Sequence, residues 1–419
     1  MNIFSNNYIC ALDLSSSKVA GVACKINKRK ISEMFFESMP SRGIKFGSIS
    51  DSIELISCVE SIMKKLKEKS GINIKYVYVN ISGQDIATRH SQAIIPLAER
   101  GNKVITISDI HKVNEQARIL GSSLEEEIID QIPFSYTLDS KNNIANPIGL
   151  YSHKLEVDLF LIFAKLASIQ TLSRAMNQSG LEIKDLFFSS LATYQAVFCD
   201  NLKRGINVLC DIGSDITEIL VFKDGLLKNI EILPIGGDDI TLSLAEKFQI
   251  PPELAEDVKK SYASVQDAGR IDENKEILVK KNNKYLPIRQ REVVESATAS
   301  ANEIAATIKE KIENIVEINK INNFIASGRT VLLEGFLEML EANLTTAVKL
   351  GRINNPKEAS ILNIPDLSGQ RYLTYLTCLG MISKALDSEQ FQITAMVDSN
   401  PNPLSKILNK VKEVYLEYF

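Results

Sequence analysis

Two short segments about half a chain apart share one pattern, and this repetition constrains the fold more than any other feature of the sequence. Residues 8–23 and 207–219 each contain an apolar run, an aspartate, a turn of small residues and a second apolar run. Asp13 in the first segment aligns with Asp211 in the second. This pattern is typical of a β-hairpin with an acidic residue at its turn. The repeat therefore predicts two related lobes, each presenting a turn and a carboxylate to a shared cleft.

Helical and extended patterns alternate along the first half of the chain. Residues 51–69 show apolar side chains at helical spacing with lysines on the opposite face, whereas residues 76–81 form a β-branched and aromatic run. A chain of 419 residues is long enough for two or more domains. We therefore expect an α/β protein with more than one domain.

Composition excludes several classes of protein. Hydrophobic residues make up 45% and charged residues 24%, which is typical of a globular protein. The 48 basic and 52 acidic residues give a net charge of −4, so no basic excess exists to bind a phosphate backbone and we expect no nucleic-acid partner. No run approaches the roughly 20 apolar residues that span a bilayer.

The cysteines and histidines are few and scattered. The six cysteines contain no CxxC pair and no signal peptide is evident, so we expect buried, reduced thiols in a cytoplasmic protein. The three histidines are widely spaced, which makes a histidine-based metal site improbable.

The two turns have the residue types that a phosphate site needs. Turns of small residues expose backbone N–H groups that can bind phosphate. Asp13 and Asp211 could hold Mg²⁺ through water, as this hard cation prefers. The alternative is that each segment is an ordinary hairpin turn, and the residues alone leave both interpretations open.

Further segments carry a resemblance to a known family. The matching segments are Ser41-Arg42-Gly43-Ile44, Val79-Asn80-Ile81-Ser82-Gly83, Leu233-Pro234-Ile235-Gly236-Gly237-Asp238-Asp239-Ile240-Thr241 and Ala255-Glu256-Asp257-Val258-Lys259-Lys260. In this order and spacing, from about residue 8 to 385, the sequence resembles the actin-like ATPases. More narrowly, it resembles FtsA, the bacterial division family that ties FtsZ filaments to the inner membrane.

The resemblance implies an actin-like two-lobe α/β fold of duplicated ribonuclease-H-like domains, with the FtsA-type insertion called subdomain 1C. The expected boundaries are 1–83 and 165–203 for subdomain 1A, 84–164 for 1C, 204–240 and 320–385 for 2A, and 241–319 for 2B. Within 1C, helical spacing occurs at Val113, Ala117, Ile119 and Leu120, and strands are expected near 154–163.

The resemblance also implies ATP and Mg²⁺ in the cleft between the lobes. No general base can be named, so we expect at most a weak ATPase, and the catalytic residues stay unknown. The residues expected to bind nucleotide are Asp13, Ser16, Ser17, Lys18, Asp211, Gly213, Thr217, Gly236, Gly237, Glu256, Lys259 and Gly335, with Asp13 and Asp211 also expected to hold the metal through water.

Several glycines of the family's nucleotide turns are replaced in this chain. Ser15 and Ser214 stand at glycine positions of the first two turns. We align the third turn with residues 331–336, where Glu334 and Phe336 replace glycines and only Gly335 remains. A Cβ restricts φ and narrows the approach of backbone to phosphate. The alternative to an ATP-binding protein is therefore a pseudo-ATPase scaffold with the same fold.

The C-terminal segment has the pattern of a tethered amphipathic helix. Residues 386–403 are polar and end in a Pro/Asn-rich stretch, which predicts a flexible linker. Residues 404–419 then predict a helix that lies on a membrane surface or, alternatively, docks on the body of the protein. Its apolar face comprises Leu404, Ile407, Leu408, Val411, Val414, Tyr415, Tyr418 and Phe419. The FtsA family carries a membrane-targeting helix at this place, so the resemblance favours the membrane.

The resemblance further implies partners and a location. We expect self-assembly into filaments, contact with membrane lipid and other division proteins, and a position on the inner face of the cell membrane at the division site. Arg289 and Arg291 are candidates for contact with the C-terminal peptide of FtsZ. Two alternatives from the same superfamily are a small-metabolite kinase and a pilus-assembly scaffold, and neither explains the terminal amphipathic helix.

Overall fold

A computed structural model describes residues 8–386, with gaps at 28–29, 99–100, 140, 145, 199–203, 267–271, 273–274, 282–283 and 354–366. In its first half the strands are β1 Tyr8–Leu14, β2 Lys18–Asn27, β3 Lys30–Pro40, β4 Ile44–Lys45, β5 Ser48–Ile49, β6 Tyr76–Ile81, β7 Ile86–Pro96, β8 Lys103–Val104, β9 Glu126–Leu138, β10 Lys141–Ile144, β11 Tyr151–Ser152, β12 Lys154–Lys165 and β13 Glu182–Phe188. In its second half they are β14 Ile206–Ile212, β15 Thr217–Lys223, β16 Leu226–Leu233, β17 Glu276–Lys281, β18 Lys284–Arg289, β19 Ile321–Ser327 and β20 Val348–Leu350. The helices are α1 Ser52–Ser70, α2 Ile107–Gly121, α3 Leu166–Gln178, α4 Ser189–Val197, α5 Gly237–Phe248, α6 Pro252–Tyr262, α7 Gln290–Glu313 and α8 Phe336–Leu344.

Two five-stranded sheets have the same topology. The first has the order β13-β6-β1-β2-β3 and the second β20-β19-β14-β15-β16. In each sheet, three consecutive strands pair antiparallel and the next two add in parallel beside the first strand. The predicted duplication is confirmed, and so are the predicted helix over 51–69 (α1) and strand over 76–81 (β6).

Side-chain alternation places the first sheet between two apolar layers. Cys10 and Leu12 of β1 belong to the cluster under α1, whereas Ile9 and Ala11 belong to the cluster that continues into the second lobe. This follows from the period of two in a strand, which sends successive side chains to opposite faces. Asp51 caps the N-terminus of α1 by accepting from the amides of Ile53 and Glu54.

Two helices join the lobes. α4 and the helical residues 376–386 lie between the sheets, and both contribute to the apolar cluster that spans the two lobes. They cross closely, because a Cβ on Gly380 would lie 1.7 Å from the carbonyl oxygen of Ala192. Close packing at this crossing sets the distance between the lobes.

A separate subdomain is inserted between β6 and α3. Its four-stranded sheet has the order β10-β9-β12-β7, with α2 packed on one face. Val113 and Ala117 of α2 are buried, as predicted, but Ile119 and Leu120 are exposed, so the predicted apolar face of this helix is partly wrong. Ile119 points away from the side of Val113, whereas Leu120, seven residues after Val113, lies on the same side but in the last turn of the helix, where it stays exposed.

The five described cysteines are buried and free of disulfides, whereas Cys199 lies outside the described residues. The predicted linker over 386–403, apart from Leu386 at the end of a helical segment, and the predicted helix over 404–419 also lie outside them. In the part of the chain that is described, no helix has the length and apolarity needed to cross a membrane.

Candidate functional site

The β1–β2 and β14–β15 turns have matching geometry. The amide of Ser15 donates to the carbonyl of Lys18 at 3.0 Å, and that of Gly213 donates to the carbonyl of Ile216 at 2.9 Å. Within the described part of the chain, the turn amides of Ser16, Ser17, Ser214 and Asp215 donate to no other group. Free amides in a tight turn form a concave site for an anion.

The serines that replace glycine in these turns fit without backbone strain. Neither Ser15 nor Ser214 has a positive φ, so a side chain is tolerated at both positions. The hydroxyl of Ser15 donates to Asp13 at 2.6 Å. Loss of glycine therefore does not distort either turn.

Asp13 lies at the base of the first turn and is 1% exposed. One carboxylate oxygen accepts from the Ser15 hydroxyl and, at 3.0 Å, from the side-chain amide of Asn80, and the other is ion-paired with Lys18. A buried charge is stable only when it is paired and hydrogen-bonded, as here. Asp13 therefore holds the Lys18 ammonium in the cleft.

Asp211 occupies the equivalent place in the second lobe but has no cationic partner within 4 Å among the described residues. It accepts from the hydroxyl of Thr193 at 3.1 Å. Burial beneath the cleft raises the pKa of Asp211 to about 6, although the Thr193 hydrogen bond opposes this, and the charge of Asp13 adds to the rise. The carboxylate of Asp211 is thus available to a cation.

A second buried acid, Glu218 on β15, lies beside Asp211 on β14. Ser82 and Ser190 donate to its two carboxylate oxygens. Burial raises the pKa of Glu218 to about 7 despite these hydrogen bonds, and the charges of Asp211 and Asp13 act in the same direction. The carboxyl group is therefore partly protonated near neutral pH.

The N-terminus of α5 packs against the second turn. The amide of Gly237 donates to the carbonyl of Gly213 at 3.0 Å, and the amide of Asp238 donates to the carbonyl of Ser214 at 2.6 Å. A Cβ on Gly236 would lie 2.6 Å from the same two carbonyl oxygens. Gly236 is thus needed for this close approach.

Helices α5 and α6 line the other end of the cleft. Lys259 donates to the carbonyl of Gly237 at 2.8 Å and pairs with Glu256 at 2.6 Å, and Thr241 also donates to Glu256 at 2.6 Å. Burial alone would raise the pKa of Glu256, but the Lys259 charge and the hydrogen bonds of Lys259, Thr241 and Lys260 lower it to about 2. This network fixes the side chains of Glu256 and Lys259 in the wall of the cleft.

The cleft thus has a turn end, between the two hairpin turns, and a helix end, beside α5 and α6. The helix end is the larger, about 1610 Å³ against about 710 Å³. The two ends share Ser17, Ser214 and Arg329, so these residues form the neck between them.

The third turn lies earlier in the chain than the alignment to 331–336 predicts, and this is a correction. The strand that precedes it is β19, which ends at Ser327, and the turn that follows includes Gly328 and Arg329. Gly328 has φ +87°, and a Cβ there would lie 2.2 Å from the carbonyl oxygen of Ile212. A glycine is therefore required at Gly328, in the turn that directly follows β19.

Nine predicted nucleotide residues line the cleft. Those at the turn end are Asp13, Ser16, Ser17, Lys18, Asp211 and Gly213, and those at the helix end are Gly237, Glu256 and Lys259, besides Ser17 at the neck. The other three, Thr217, Gly236 and Gly335, are not among the lining residues, so the structure does not support direct contact with a ligand there.

These three residues have structural roles instead. The hydroxyl of Thr217 donates to the carbonyl of Ile235 at 2.8 Å. Gly335 has φ +80°, and a Cβ there would lie 1.9 Å from the carbonyl oxygen of Val265. The side chain of Phe336 is buried in the second lobe rather than in the cleft, so it does not obstruct a ligand.

Sequence reasoning missed several lining residues. Asn80 and Glu218 are polar residues inside otherwise apolar strand runs, and that local signal could have found them. Thr193 on α4 and Arg329 have no comparable signal, because only the fold brings α4 and the end of β19 to the cleft.

A loop of the first lobe reaches the second turn. The amide of Phe46 donates to Asp215 at 2.5 Å, and the amide of Gly47 donates to the hydroxyl of Ser16 at 3.3 Å. Asp215 is 8% exposed, and its other carboxylate oxygen has no hydrogen-bond partner among the residues that the structure describes. This unpaired oxygen at the cleft is suited to a bound donor or cation.

The structure places Arg289 at the end of β18 and Arg291 in the first turn of α7, away from the cleft. Arg289 lies 3.8 Å from Glu292, and Arg291 pairs with Glu295 at 3.1 Å. Both arginines retain access to solvent, and their charge is partly offset by these neighbours.

Comparison with known proteins connects this geometry to one family. The family model described as cell division protein FtsA matches residues 208–372, and the model described as the SHS2 domain inserted in FtsA matches residues 83–163. Together they cover more than half of the chain, including the second sheet and the inserted subdomain. The chain belongs to the FtsA family.

Individual FtsA proteins match nearly the whole chain. The cell division protein FtsA of Bacillus subtilis is 25% identical over 389 residues, which are 93% of this chain and 86% of that protein. The predicted family is therefore confirmed.

Solved structures confirm the actin-like fold. The PilM-PilN type IV pilus biogenesis complex contains a chain with a TM-score of 0.60 and 15% identity, covering 90% of this chain and 98% of that one. MreB 5 of Spiroplasma citri bound to AMPPNP has a TM-score of 0.53 and 10% identity, covering 93% and 99%. At these identities the likeness concerns the fold alone.

Proposed function

We propose that this FtsA-family protein binds ATP and Mg²⁺ in the cleft between its lobes. The observation that carries the proposal is the pair of matching turns, whose free amides and acidic residues face one cleft. The unpaired oxygen of Asp215 and the close approach of Gly236 to the second turn support the same conclusion. A structure with the same fold carries AMPPNP, an ATP analogue.

The two ends of the cleft differ in the chemistry that they offer. The amides of Ser16, Ser17 and Ser214 would bind phosphate oxygens at the turn end. The larger helix end, with Glu256 and Lys259 in its wall, would hold the nucleoside. This division follows from the anion-binding amides at one end and the greater volume at the other.

Asp211 is the better candidate for holding the metal. Asp13 is already paired with Lys18 and hydrogen-bonded to Ser15 and Asn80, whereas the Asp211 carboxylate accepts, among the described side chains, only from Thr193. Bound Mg²⁺ would neutralise phosphate charge, and it commonly needs only one or two carboxylates when phosphates supply other ligands. This fits the absence, among described residues, of three or more grouped metal-ligating side chains.

We expect slow hydrolysis at most. Glu218 is partly protonated near neutral pH because its pKa is about 7, and two serines occupy both of its carboxylate oxygens. A carboxyl group in that state is a poor general base for water. No catalytic residue is assigned.

The test of nucleotide binding uses the intact chain and a fluorescent ATP analogue, with and without Mg²⁺. Wild type should bind, and Asp211→Ala should reduce the Mg²⁺-dependent affinity by about tenfold or more. Asp257→Ala on the exposed side of α6 is the matched control and should bind normally. If wild type does not bind the analogue in either condition, the pseudo-ATPase alternative replaces this proposal.

We further propose that the protein polymerises and ties FtsZ filaments to the inner face of the cell membrane. Membership of the FtsA family supports this role over a metabolite kinase or a pilus scaffold. The amphipathic pattern over 404–419 supports a membrane contact that is chiefly hydrophobic, because its lysines are nearly offset by glutamates.

A liposome sedimentation assay tests the tether. Val411→Asp or Tyr415→Asp places a charge on the predicted apolar face and should abolish binding. Asn409→Asp adds the same charge to the predicted polar face and should change binding much less. Equal sedimentation of all variants with wild type would overturn the tether.

A peptide-binding assay tests the FtsZ contact. Arg291→Glu should weaken binding of the C-terminal FtsZ peptide by reversing one charge near α7. Arg118→Glu on α2 is the control, because Arg118 also pairs with a glutamate on its own helix. Equal affinity of Arg291→Glu and wild type would discard this contact.

A further inference from the structure

Arg329 lies at the neck of the cleft, directly after β19. It is one of the three residues that line both ends, together with Ser17 of the first turn and Ser214 of the second. A ligand that extends from the helix end to the turn end therefore passes close to the Arg329 side chain.

The backbone on both sides of Arg329 is held against the second turn. Gly328 packs so closely that a Cβ would lie 2.8 Å from a carboxylate oxygen of Asp211. The hydroxyl of Thr330 donates to the carbonyl of Gly213 at 2.6 Å. The stem of Arg329 therefore has a defined position relative to the second turn.

Among the described residues, the guanidinium of Arg329 has no anionic partner. Three other cations of the cleft, Lys18, Lys259 and Lys260, each pair with a carboxylate, and a fourth, Arg371, is exposed to solvent at the rim of the helix end. By contrast, no carboxylate of the described residues lies within 4 Å of the Arg329 guanidinium, although the side chain is half-buried. Partial burial of an unpaired charge is unfavourable unless a ligand compensates it.

We propose that Arg329 binds the non-terminal phosphates of the nucleotide. This inference rests on the proposed ATP site. If the nucleoside occupies the helix end and the terminal phosphate the turn end, the α- and β-phosphates pass the neck. A guanidinium can donate two parallel hydrogen bonds to phosphate oxygens. Arg329 thus supplies a positive charge at the neck, next to turns that offer backbone amides.

The test compares the affinities of ATP, ADP and adenosine for the intact protein by calorimetry. Arg329→Ala should weaken ATP and ADP binding by about 10- to 100-fold and leave adenosine binding within about threefold. Arg329→Gln, which keeps the length without the charge, should behave similarly. Arg174→Ala, at an exposed arginine of α3 that lines neither end of the cleft, is the control and should change ATP affinity by less than about threefold.

The outcomes separate this inference from the proposed site. If wild type binds no ATP, the site itself fails and the role of Arg329 with it. If wild type binds ATP and both Arg329 variants bind it equally well, only the role of Arg329 is overturned. Equal losses for ATP and adenosine would also overturn it, because a phosphate contact cannot affect adenosine.

Discussion

Asp211 and Glu218 are directly opposite each other on β14 and β15, so two buried acids share one position of the second sheet. Burial raises both pKa values, to about 6 for Asp211 and about 7 for Glu218. The charge of Asp211 also raises the pKa of Glu218, and the charge of Asp13 raises both pKa values. The equivalent position opposite Asp13 in the first lobe is Ala20, so only the second lobe carries this pair.

Glu218 should make stability depend on pH in the protein without nucleotide and metal. Between about pH 4.5 and 7 the folded state keeps the Glu218 proton while the unfolded state releases it, so stability falls as pH rises. Glu218→Gln removes this loss and should stabilise the protein at pH 8 by on the order of 2–3 kcal/mol. Thermal unfolding from pH 5 to 8 measures it.

The control for this prediction is Glu317→Gln, at an exposed carboxylate. Its melting temperature should follow that of wild type at every pH. A difference between Glu218→Gln and wild type that stays constant from pH 5 to 8 would contradict the raised pKa of Glu218.

The hydrogen bond from Phe46 to Asp215 should protect the loop that spans the cleft. Asp215→Ala removes the acceptor and leaves the Phe46 amide unpaired, which costs about 1–3 kcal/mol locally. Hydrogen exchange in a peptide containing Phe46 should therefore accelerate by about tenfold or more. Ser16→Ala, which removes only the longer bond from Gly47, should have a smaller effect. Unchanged exchange in Asp215→Ala would refute the contact.

The crossing between α4 and the helical residues 376–386 should not tolerate a side chain at Gly380. Alanine there meets the backbone of Ala192, which cannot move aside as a side chain could. We expect a loss of about 1–3 kcal/mol or more, despite a gain of up to about 1 kcal/mol in helix propensity. Thermal unfolding measures it, with Gly351→Ala as control because its Cβ would lie at an ordinary 3.4 Å from its neighbours. Equal stability of the two variants would contradict this packing.

Gly328 and Gly335 should respond differently to alanine although both have positive φ. Each substitution should cost about 1–2 kcal/mol of stability from backbone strain alone. Gly328→Ala should also lower affinity for the fluorescent ATP analogue, since its Cβ would press on Asp211. Gly335→Ala should leave the affinity of the folded protein unchanged. If Gly335→Ala lost affinity at normal stability, Gly335 would contact nucleotide after all.

The sequence alone was sufficient to predict the two lobes, because its signals are local. The repeat around Asp13 and Asp211, and the alternation of apolar residues in β1 and β14, need no information about distant contacts. The same holds for α1, whose spacing and Asp51 cap are contained in one segment. These features determine the elements and their order.

Only the tertiary structure decided which side chains meet in the cleft. Glu218 on β15, Thr193 on α4 and the turn residue Arg329 after β19 come from separate segments, and the second sheet together with α4 brings them to one cleft. The structure also shows that Gly328, and not Gly335, lines the cleft. This difference depends on how closely the backbone of a turn approaches a neighbouring strand, which only packing decides. Local pattern cannot report such contacts, since they arise only when the two lobes assemble around α4.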